Sequence, residues 1–424
     1  MQKRRLHRPS IAPHLDPRPA PWQALTVTDL YYDPFDFDVD TRAHDVWGRM
    51  RDEAPLYRND THDFWALSRY DDVLECLLDT DTYISRYGTT LDLMSDEVFP
   101  MPMFIFRDPP EHTLLRKLVS RAFTPRKING LESRITRVCD RLLDPLDGMT
   151  AFDFVQEFAS LLPPTVILAL LGFPEGLETE MRASVDNNMA ISEDATTGSR
   201  AVIDGENLGH AVYEMIPDLC AERRREPADD LLTMLATHER ELGDGTTRPL
   251  TDEEIMGYVA LIAGAGSETV ARLLGWASVL LADHPDQRAE LRADESLIPN
   301  AIEEILRYEA PSPVQGRRTT RDVEFHGQTV PAGSNLLLIN GSGNRDERHF
   351  PDADRFDIHR TIDRHLSFGY GAHFCIGAAL ARLEGRIGLE QVIRRFGDWE
   401  VDHAAIEWVH TSTVRGYKSV PVTI

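Results

Sequence analysis

A glycine-rich stretch that ends in a cysteine is the part of the sequence best suited to chemistry. It runs from His365 to Gly377 and reads HLSFGYGAHFCIG. Helix-favouring residues follow as far as Glu384, so Cys375 lies at the predicted N-terminus of a helix. The dipole and the free N–H groups at such an end stabilise an anion, and a thiolate is an anion. The glycines let the backbone turn tightly and approach a large, flat group.

Three simpler interpretations of this stretch compete. A phosphate-binding loop would need a third glycine where Phe374 stands, and no apolar strand leads into the stretch. A zinc site would need a fourth ligand near Cys375, His365 and His373, and no paired C-x-x-C occurs. An inert buried cysteine is the commonest fate of a lone cysteine. That interpretation leaves the glycines and the neighbouring aromatic residue unexplained.

The stretch resembles the haem-ligand loop of the cytochrome P-450 family, the haem-thiolate monooxygenases. The fixed positions of the family pattern Phe-Gly-x-Gly-x-His-x-Cys-x-Gly are matched by Phe368, Gly369, Gly371, His373, Cys375 and Gly377. The resemblance implies that haem b is the cofactor and that the thiolate of Cys375 is the axial ligand of its iron. The other haem-binding residues that it implies in this loop are Phe368, Gly369 and Gly377. A thiolate ligand donates electron density that favours O–O cleavage.

A second motif lies in the middle of a long predicted helix. The helix begins at a capping box, Thr251 to Glu254, and no proline interrupts it before Pro285. Such a helix is roughly 50 Å long, enough to cross the whole molecule. Its centre reads AGAGSET, and each glycine inside a helix costs on the order of 1 kcal/mol relative to alanine. A compensating function is therefore expected for these small residues.

This centre matches the family pattern Ala-Gly-x-Asp/Glu-Thr at Ala265, Gly266, Glu268 and Thr269. The resemblance implies that Ala265 and Gly266 leave room for O₂ beside the haem. It also implies two catalytic residues, because oxygen activation consumes protons. Thr269 would hold a hydroxyl group or a water molecule there, and Glu268 would relay protons. The alternative interpretation is a glycine pair that packs against another helix, with Glu268 at the surface.

Cationic side chains suit the two carboxylates of a haem. His112 and Arg116 are four residues apart on a helix that begins after Asp108-Pro-Pro, so they share one face. The resemblance assigns both to the propionate groups, together with Arg317 and His365, because carboxylates need cationic donors at fixed geometry. A surface His–Arg pair is the alternative interpretation of the first two residues.

Other charged residues have docking or structural interpretations. A basic cluster on this acidic protein is predicted to help dock an acidic electron donor, and it comprises Lys117, Arg121, Arg126 and Arg382. A solvated basic face is the alternative. Glu304 and Arg307 are three residues apart on a predicted helix and can pair. The resemblance implies that Arg355 completes a buried, structural ion triad with them.

Several other segments are predicted to position these residues. Phe64 to Tyr70 is predicted to form a short strand followed by a helix, and two further strands are predicted within 322–330 and 334–339. The loop from Ile84 to Phe106 has an apolar tip, which the resemblance places over the haem in contact with substrate. Its apolar residues are Met101, Met103, Phe104 and Phe106. A hairpin is predicted in the tail over 409–417, with its turn near the substrate.

Composition narrows the class of protein. The 424 residues are 42% hydrophobic, which is ample for a large core. A net charge of −25 argues against nucleic acid or an anionic membrane as the main partner. The cysteines lack pairing spacings, which fits a reducing, cytoplasmic setting; they are Cys76, Cys139, Cys220 and Cys375. No apolar stretch approaches the length of a membrane span, so the chain resembles the soluble bacterial members of the family, which lack a membrane anchor.

We therefore predict a mainly α-helical protein with a smaller β-rich lobe, the cytochrome P-450 fold. A disordered, basic, proline-rich arm is predicted over 1–21, and a single domain over 22–424. The resemblance implies monooxygenation, such as hydroxylation, of an apolar small molecule by O₂. Electrons would come from a separate ferredoxin and ferredoxin reductase, because no flavin or iron–sulfur motif is present. The alternatives are a haem-thiolate protein that binds or senses a small molecule without turnover, and a peroxide-driven oxygenase. The intact acid–alcohol pair argues against both.

Overall fold

Helices dominate the structure, which a computed structural model describes for residues 30–101, 103–191, 195–199, 210–241 and 246–424. The helices are α1 (Val39–Glu53), α2 (Tyr70–Leu78), α3 (Glu111–Ser120), α4 (Pro125–Asn129), α5 (Glu132–Leu143), α6 (Leu162–Leu171), α7 (Glu178–Met189), α8 (His210–Arg225), α9 (Leu231–Ala236), α10 (Asp252–Asp283), α11 (Pro285–Ala293), α12 (Ile298–Tyr308), α13 (Asn340–Gly343) and α14 (Ala378–Phe396). The mainly helical class is therefore confirmed.

The strands form a smaller part of the fold, as predicted. They are β1 (Leu56–Asn59), β2 (Phe64–Leu67), β3 (Tyr83–Ile84), β4 (Ala151–Asp153), β5 (Glu239–Glu241), β6 (Thr247–Pro249), β7 (Gln315–Thr319), β8 (Val323–Phe325), β9 (Gln328–Val330), β10 (Asn335–Leu338), β11 (Glu400–Val401), β12 (Glu407–Trp408), β13 (Tyr417–Ser419) and β14 (Pro421–Thr423). The largest sheet has the order β1-β2-β10-β7-β3. Its β2–β10 pair is parallel, with Phe64 opposite Asn335, and its other pairs are antiparallel.

The helix α10 organises the helical core. Thr251 and Glu254 cap its start reciprocally, as the capping box predicts, and Pro285 begins the next helix. Most of α10 is buried against α6, α12 and α14. A second, smaller apolar cluster joins residues of the five-stranded sheet, such as Leu336, to residues of α2, such as Tyr70. Two cores therefore correspond to the helical part and the β-rich lobe.

The predicted ion triad forms with a different third member. Arg307 donates to both carboxylate oxygens of Glu304, at 2.6 and 2.8 Å, and both side chains are fully buried. Arg360, not Arg355, completes the group, because its Nε donates to Glu304 Oε1 at 3.2 Å. The Arg355 side chain is 71% exposed and lies 3.7 Å from Asp357. Only its backbone carbonyl reaches the cluster, where it accepts from Arg307 and Arg360.

Residues Tyr31–Ile424 form one compact unit. The arm predicted over 1–21 and the domain boundary at residue 22 lie outside the described residues. No helix in the described ranges combines the length and apolar character needed to cross a bilayer.

Candidate active site

The cysteine loop is held against its own backbone before α14 begins. The N–H of Cys375 donates to the carbonyl of Phe368 at 2.8 Å, which closes the glycine-rich turn. Gly369 and Gly371 both adopt positive φ, at 63° and 69°, where other residues are strained. A Cβ on Gly371 would also lie 2.6 Å from the carbonyl oxygen of Leu77. These two glycines are therefore required by the turn.

The Cys375 thiol lies in an environment that partly favours its anion. Burial raises the pKa of this thiol, while the N–H groups of Gly377 and Ala378 and the nearby Arg116 and Arg382 guanidiniums lower it. The two N–H groups belong to the start of α14, as the predicted helix N-terminus requires. Donors that face a sulfur in this way are those that would tune a metal-bound thiolate.

A cluster of cationic and imidazole side chains lies next to this loop. Arg116 of α3 donates to the carbonyl of Phe374 at 2.5 Å. The rings of His112 and His373 lie 4.2 Å apart. Arg317, on β7, is buried and lowers the pKa of both histidines. The structure therefore brings together three of the four predicted propionate residues and adds His373.

The carboxylate beside the cluster is already engaged, because Asp108, which acts to raise the pKa of His112 and of Arg317, also forms an ion pair outside the cluster at 2.6 Å. Burial, with Arg116 beside it, lowers the pKa of His112 to about 4. Burial and Arg317 lower the pKa of His373 to about 2. Both ring nitrogens of His112 are buried without a hydrogen-bond partner among the described residues. Since buried polar groups are normally paired, these residues fit a ligand that carries carboxylates, as haem does.

His365 does not join this cluster, which corrects its predicted role. Its Nε2 lies 3.1 Å from a carboxylate oxygen of Glu303, and its Nδ1 accepts from the N–H of Ser367. His373 takes its place beside the cavity. The sequence contained a signal that favours His373 over His365 for this cluster, because His373 is two residues from Cys375 in the tight turn and His365 is ten residues away.

A cavity of about 270 Å³ lies along the centre of α10. Gly264, Ala265 and Thr269 line it, and a Cβ on Gly264 would meet nothing within 4 Å. Gly266 faces away, because its Cβ would lie 2.7 Å from Ile167 of α6. The small residue at the cavity next to Ala265 is thus Gly264, and Gly266 permits close helix packing. This corrects the haem-side role predicted for Gly266.

The two predicted catalytic residues differ in position. The hydroxyl of Thr269 donates to the carbonyl of Ala265 at 3.0 Å, at the cavity. Glu268 is buried and accepts from Nε of Arg272 at 2.9 Å, one helical turn further on. Arg272 also donates to the carbonyl of Tyr417. The carboxylate is thus held behind the cavity wall by an ion pair that sequence spacing did not reveal.

The cavity has an apolar wall and a polar wall. Of the four apolar loop residues predicted at the substrate, Met103 and Phe106 line it. Phe104 instead packs edge-on toward His112, and Met101 is partly buried against the core. The polar wall includes Ser312, Ser412 and Thr413. The tail between β12 and β13 reaches the cavity, as predicted.

The predicted basic cluster is exposed at its α3 end. Lys117, Arg121 and Arg126 are exposed and form no ion pair within the described ranges. Arg382 differs, because it donates to both carboxylate oxygens of Glu303, at 2.6 and 2.9 Å, and its guanidinium covers the Phe368 ring. The three exposed cations are free to meet an acidic partner.

The chain is similar to known proteins along most of its length. The model of the family described as Cytochrome P450 matches residues 206–411. The chain is similar to cytochrome P450 107B1 of Saccharopolyspora erythraea, with 37% identity over 89% of this chain and 94% of the relative. It is similar to vitamin D(3) 25-hydroxylase of Pseudonocardia autotrophica, with 36% identity over 95% and 98%. The structure of cytochrome P450 CYP109Q5 from Chondromyces apiculatus matches with a TM-score of 0.80 and 34% identity, over 92% and 97%.

Proposed function

Because this chain belongs to the cytochrome P450 family, whose members are haem-thiolate monooxygenases, we propose that it inserts one atom of O₂ into an apolar small molecule, with electrons from a separate ferredoxin and its reductase. The observation that carries the proposal is that the Cys375 turn and a cluster of cationic and imidazole side chains meet beside one cavity. A haem-thiolate site requires an axial thiolate and groups that bind the two carboxylates of the haem.

The residues would hold the haem from two directions. Cys375 is the proposed iron ligand, oriented by its turn and by the N–H groups at the start of α14. His112, Arg116, Arg317 and His373 are the proposed partners of the propionate groups, one of which would accept a hydrogen bond from the unpaired N–H of the His112 ring. Phe368, beneath the Arg382 guanidinium, would form part of the loop surface that faces the porphyrin.

The proposed reaction is balanced by two electrons and two protons. One oxygen atom of O₂ enters a C–H bond to give an alcohol, and the other leaves as water. When bound, haem with a thiolate ligand supplies oxygen activation and the electron donation that favours O–O cleavage. NADH supplies the electrons through the reductase and the ferredoxin, because the sequence carries no flavin or iron–sulfur motif of its own.

Proton supply is the role proposed for the centre of α10. The Thr269 hydroxyl lies at the cavity, where it can hold a water molecule in place. Glu268 is the nearest carboxylate along the helix, and we assign it the relay role. Since Arg272 holds this carboxylate, the relay requires Glu268 to exchange that contact for a water molecule or for Thr269.

The lining of the cavity supports the proposed substrate class. Leu93, Met103, Phe106 and Val185 contribute apolar surface to the cavity, and Ser312 and Thr413 contribute hydroxyl-bearing side chains. A largely apolar, alicyclic molecule with one oxygen-bearing end fits both walls. The relative whose name specifies vitamin D(3) supports this class.

The electron donor is proposed to dock on the exposed face of α3. Leu114, Lys117 and Arg121 are spaced at i, i+3 and i+7, so they share that face, and Leu114 is 69% exposed. An apolar residue flanked by cations suits a small acidic ferredoxin. We place this encounter in the cytoplasm, where NADH and the reductase are available.

The test is a reconstituted turnover assay. The purified haem protein is supplied with NADH, a surrogate ferredoxin and its reductase, and vitamin D3 or a sterol of similar size. The proposal expects a red-shifted ferrous–CO band, a ligand-induced low-to-high-spin shift, and a product heavier by one oxygen atom from ¹⁸O₂. Binding with neither NADH use nor product would favour a sensor. Product from peroxide alone, with none from NADH, would favour the peroxide route.

A further inference from the structure

The segment between β12 and β13 forms a thin wall of the cavity. We refer to residues 409–416 as the tail loop. Three of its residues, Ser412, Thr413 and Val414, line the main cavity. The same three residues also line a second cavity of about 30 Å³ behind the loop, which Asp40 and Trp47 border. Since there is a void on each side, packing alone does not fix the position of the loop.

Hydrogen bonds hold the loop along its cavity side. Ser412 donates to a carboxylate oxygen of Asp92 at 2.5 Å, and Thr413 donates to the carbonyl of Val314 at 3.0 Å. Ser312 lies 3.3 Å from the Thr413 hydroxyl. Of these partners Ser312 lines the main cavity itself, and Asp92 and Val314 each precede a lining residue, so the contacts connect the loop to the cavity wall.

A buried contact between an imidazole and a carboxylate holds the loop from outside the cavity. His410 places Nδ1 2.5 Å from Oδ2 of Asp40, and Nε2 3.2 Å from the carbonyl of Phe35. Both ring nitrogens therefore face oxygen atoms, so the position of the ring is fixed from two sides. The Asp40 and His410 side chains are each only 8% exposed, and the Phe37 ring stacks on His410 at 3.6 Å. Asp40 belongs to α1, which does not line the main cavity.

A second buried pair holds the other end of the loop. Arg415 donates from Nε to the carbonyl of Asp40 at 2.8 Å, and from Nη1 to Glu309. Its guanidinium lies 4.8 Å from the centre of the Trp276 ring. Removing one partner of a buried charge pair lowers the stability of a protein by several kcal/mol. These contacts therefore fix the position of Arg415 and of this end of the tail loop.

We propose that Asp40, acting through His410, is a positioning residue that sets the tail loop against the substrate and so determines which bulky ligands the cavity accepts. This inference rests on the proposed haem-thiolate function. Asp40 does not line the main cavity, and its hydrogen bonds outside α1 within the described ranges go to His410 and Arg415, so its effect is expected to reach the ligand through the loop. The expected signature is a selective loss of affinity for ligands large enough to reach Ser412–Val414.

The test compares two ligands that share one iron-binding group. Imidazole and 1-tritylimidazole both coordinate iron through an imidazole nitrogen, but only the second is bulky. Their affinities are measured from the Soret shift of the haem-loaded enzyme. Asp40→Asn is expected to lower the affinity for 1-tritylimidazole on the order of tenfold and to change the affinity for imidazole by less than about twofold. The control Glu53→Gln, in an exposed pair with Arg49 on the same helix, is expected to change neither.

A double variant separates positioning from general damage. If Asp40 acts through His410, then His410→Gln reproduces the selective loss, and combining it with Asp40→Asn adds no further loss. Equal weakening of both ligands, or wild-type affinity for 1-tritylimidazole in either single variant, would overturn the proposal. Failure of the proposed function itself would differ, because the wild-type enzyme would then show no red-shifted ferrous–CO band.

Discussion

Replacing Arg360 with alanine is expected to destabilise the protein far more than the same change at Arg355. The Arg360 side chain is 11% exposed and donates to Glu304 at 3.2 Å and to the carbonyls of Pro351, Asp352 and Arg355 at 2.7 to 2.9 Å. Its removal leaves the Glu304–Arg307 pair, which is fully buried, with fewer donors. Breaking such a buried group costs about 3–5 kcal/mol, a large part of a typical total stability of roughly 5–15 kcal/mol.

Arg355 offers a matched control in the same segment. Its side chain is 71% exposed, and its single ion pair, with Asp357, spans 3.7 Å. Exposed pairs contribute roughly 0–1 kcal/mol, so Arg355→Ala is expected to change the free energy of unfolding by about 0.5 kcal/mol or less.

The assay is urea unfolding of the haem-loaded protein, followed by far-UV circular dichroism and by the Soret band. Arg360→Ala should lower the midpoint clearly, and Arg355→Ala should leave it near the wild-type value. The reasoning is refuted if Arg355→Ala costs as much as Arg360→Ala, since an exposed guanidinium would then be the third member of the triad.

Three further predictions concern catalysis, docking and pH. Thr269→Ala should uncouple NADH use from product and raise peroxide release, because the hydroxyl at the cavity is lost; unchanged coupling, measured as product per NADH, would remove this residue from the mechanism. Neutralising Lys117 and Arg121 together should weaken ferredoxin binding most at low salt, because screening removes the contribution of exposed charges at high salt. If the variant and the wild-type protein bind ferredoxin equally at every salt concentration, this face is an ordinary solvated surface. Burial lowers the pKa of His44 from its ordinary 6.5 to about 4, so the folded state favours the neutral ring. As the pH falls from 6.5 to 4, the unfolded chain takes up this proton first, and stability should fall by on the order of 1–3 kcal/mol. His44→Gln should flatten that part of the stability profile, and an unchanged slope would contradict the assignment.

Local sequence was sufficient to predict the features that depend only on residues close together in the chain. The turn before Cys375 needs positive φ at Gly369, and the capping box of α10 needs only four residues. The Glu304–Arg307 pair is likewise set by helical spacing. In each case the partners lie within one or two turns of chain, so the pattern alone specifies the geometry.

Contacts between distant segments could not be predicted in the same way. The irregular chain after α13 determines which arginine reaches Glu304. Its path brings the Arg360 side chain to Glu304 and leaves the Arg355 side chain exposed. The side of α10 that faces the cavity depends on the packing of α6, which places Ile167 against Gly266. The pairing of His365 with Glu303 likewise joins two segments 62 residues apart.

The most direct measurement of the central claim is the ferrous–CO spectrum of the wild-type protein beside that of Cys375→His. Expressed with abundant haem, the wild-type protein should bind it and show the red-shifted Soret band of a thiolate-ligated iron, and the histidine variant should lose that shift. A well-folded wild-type protein that carries no haem, or a variant that keeps the red-shifted band, would contradict the assignment of Cys375 as the iron ligand.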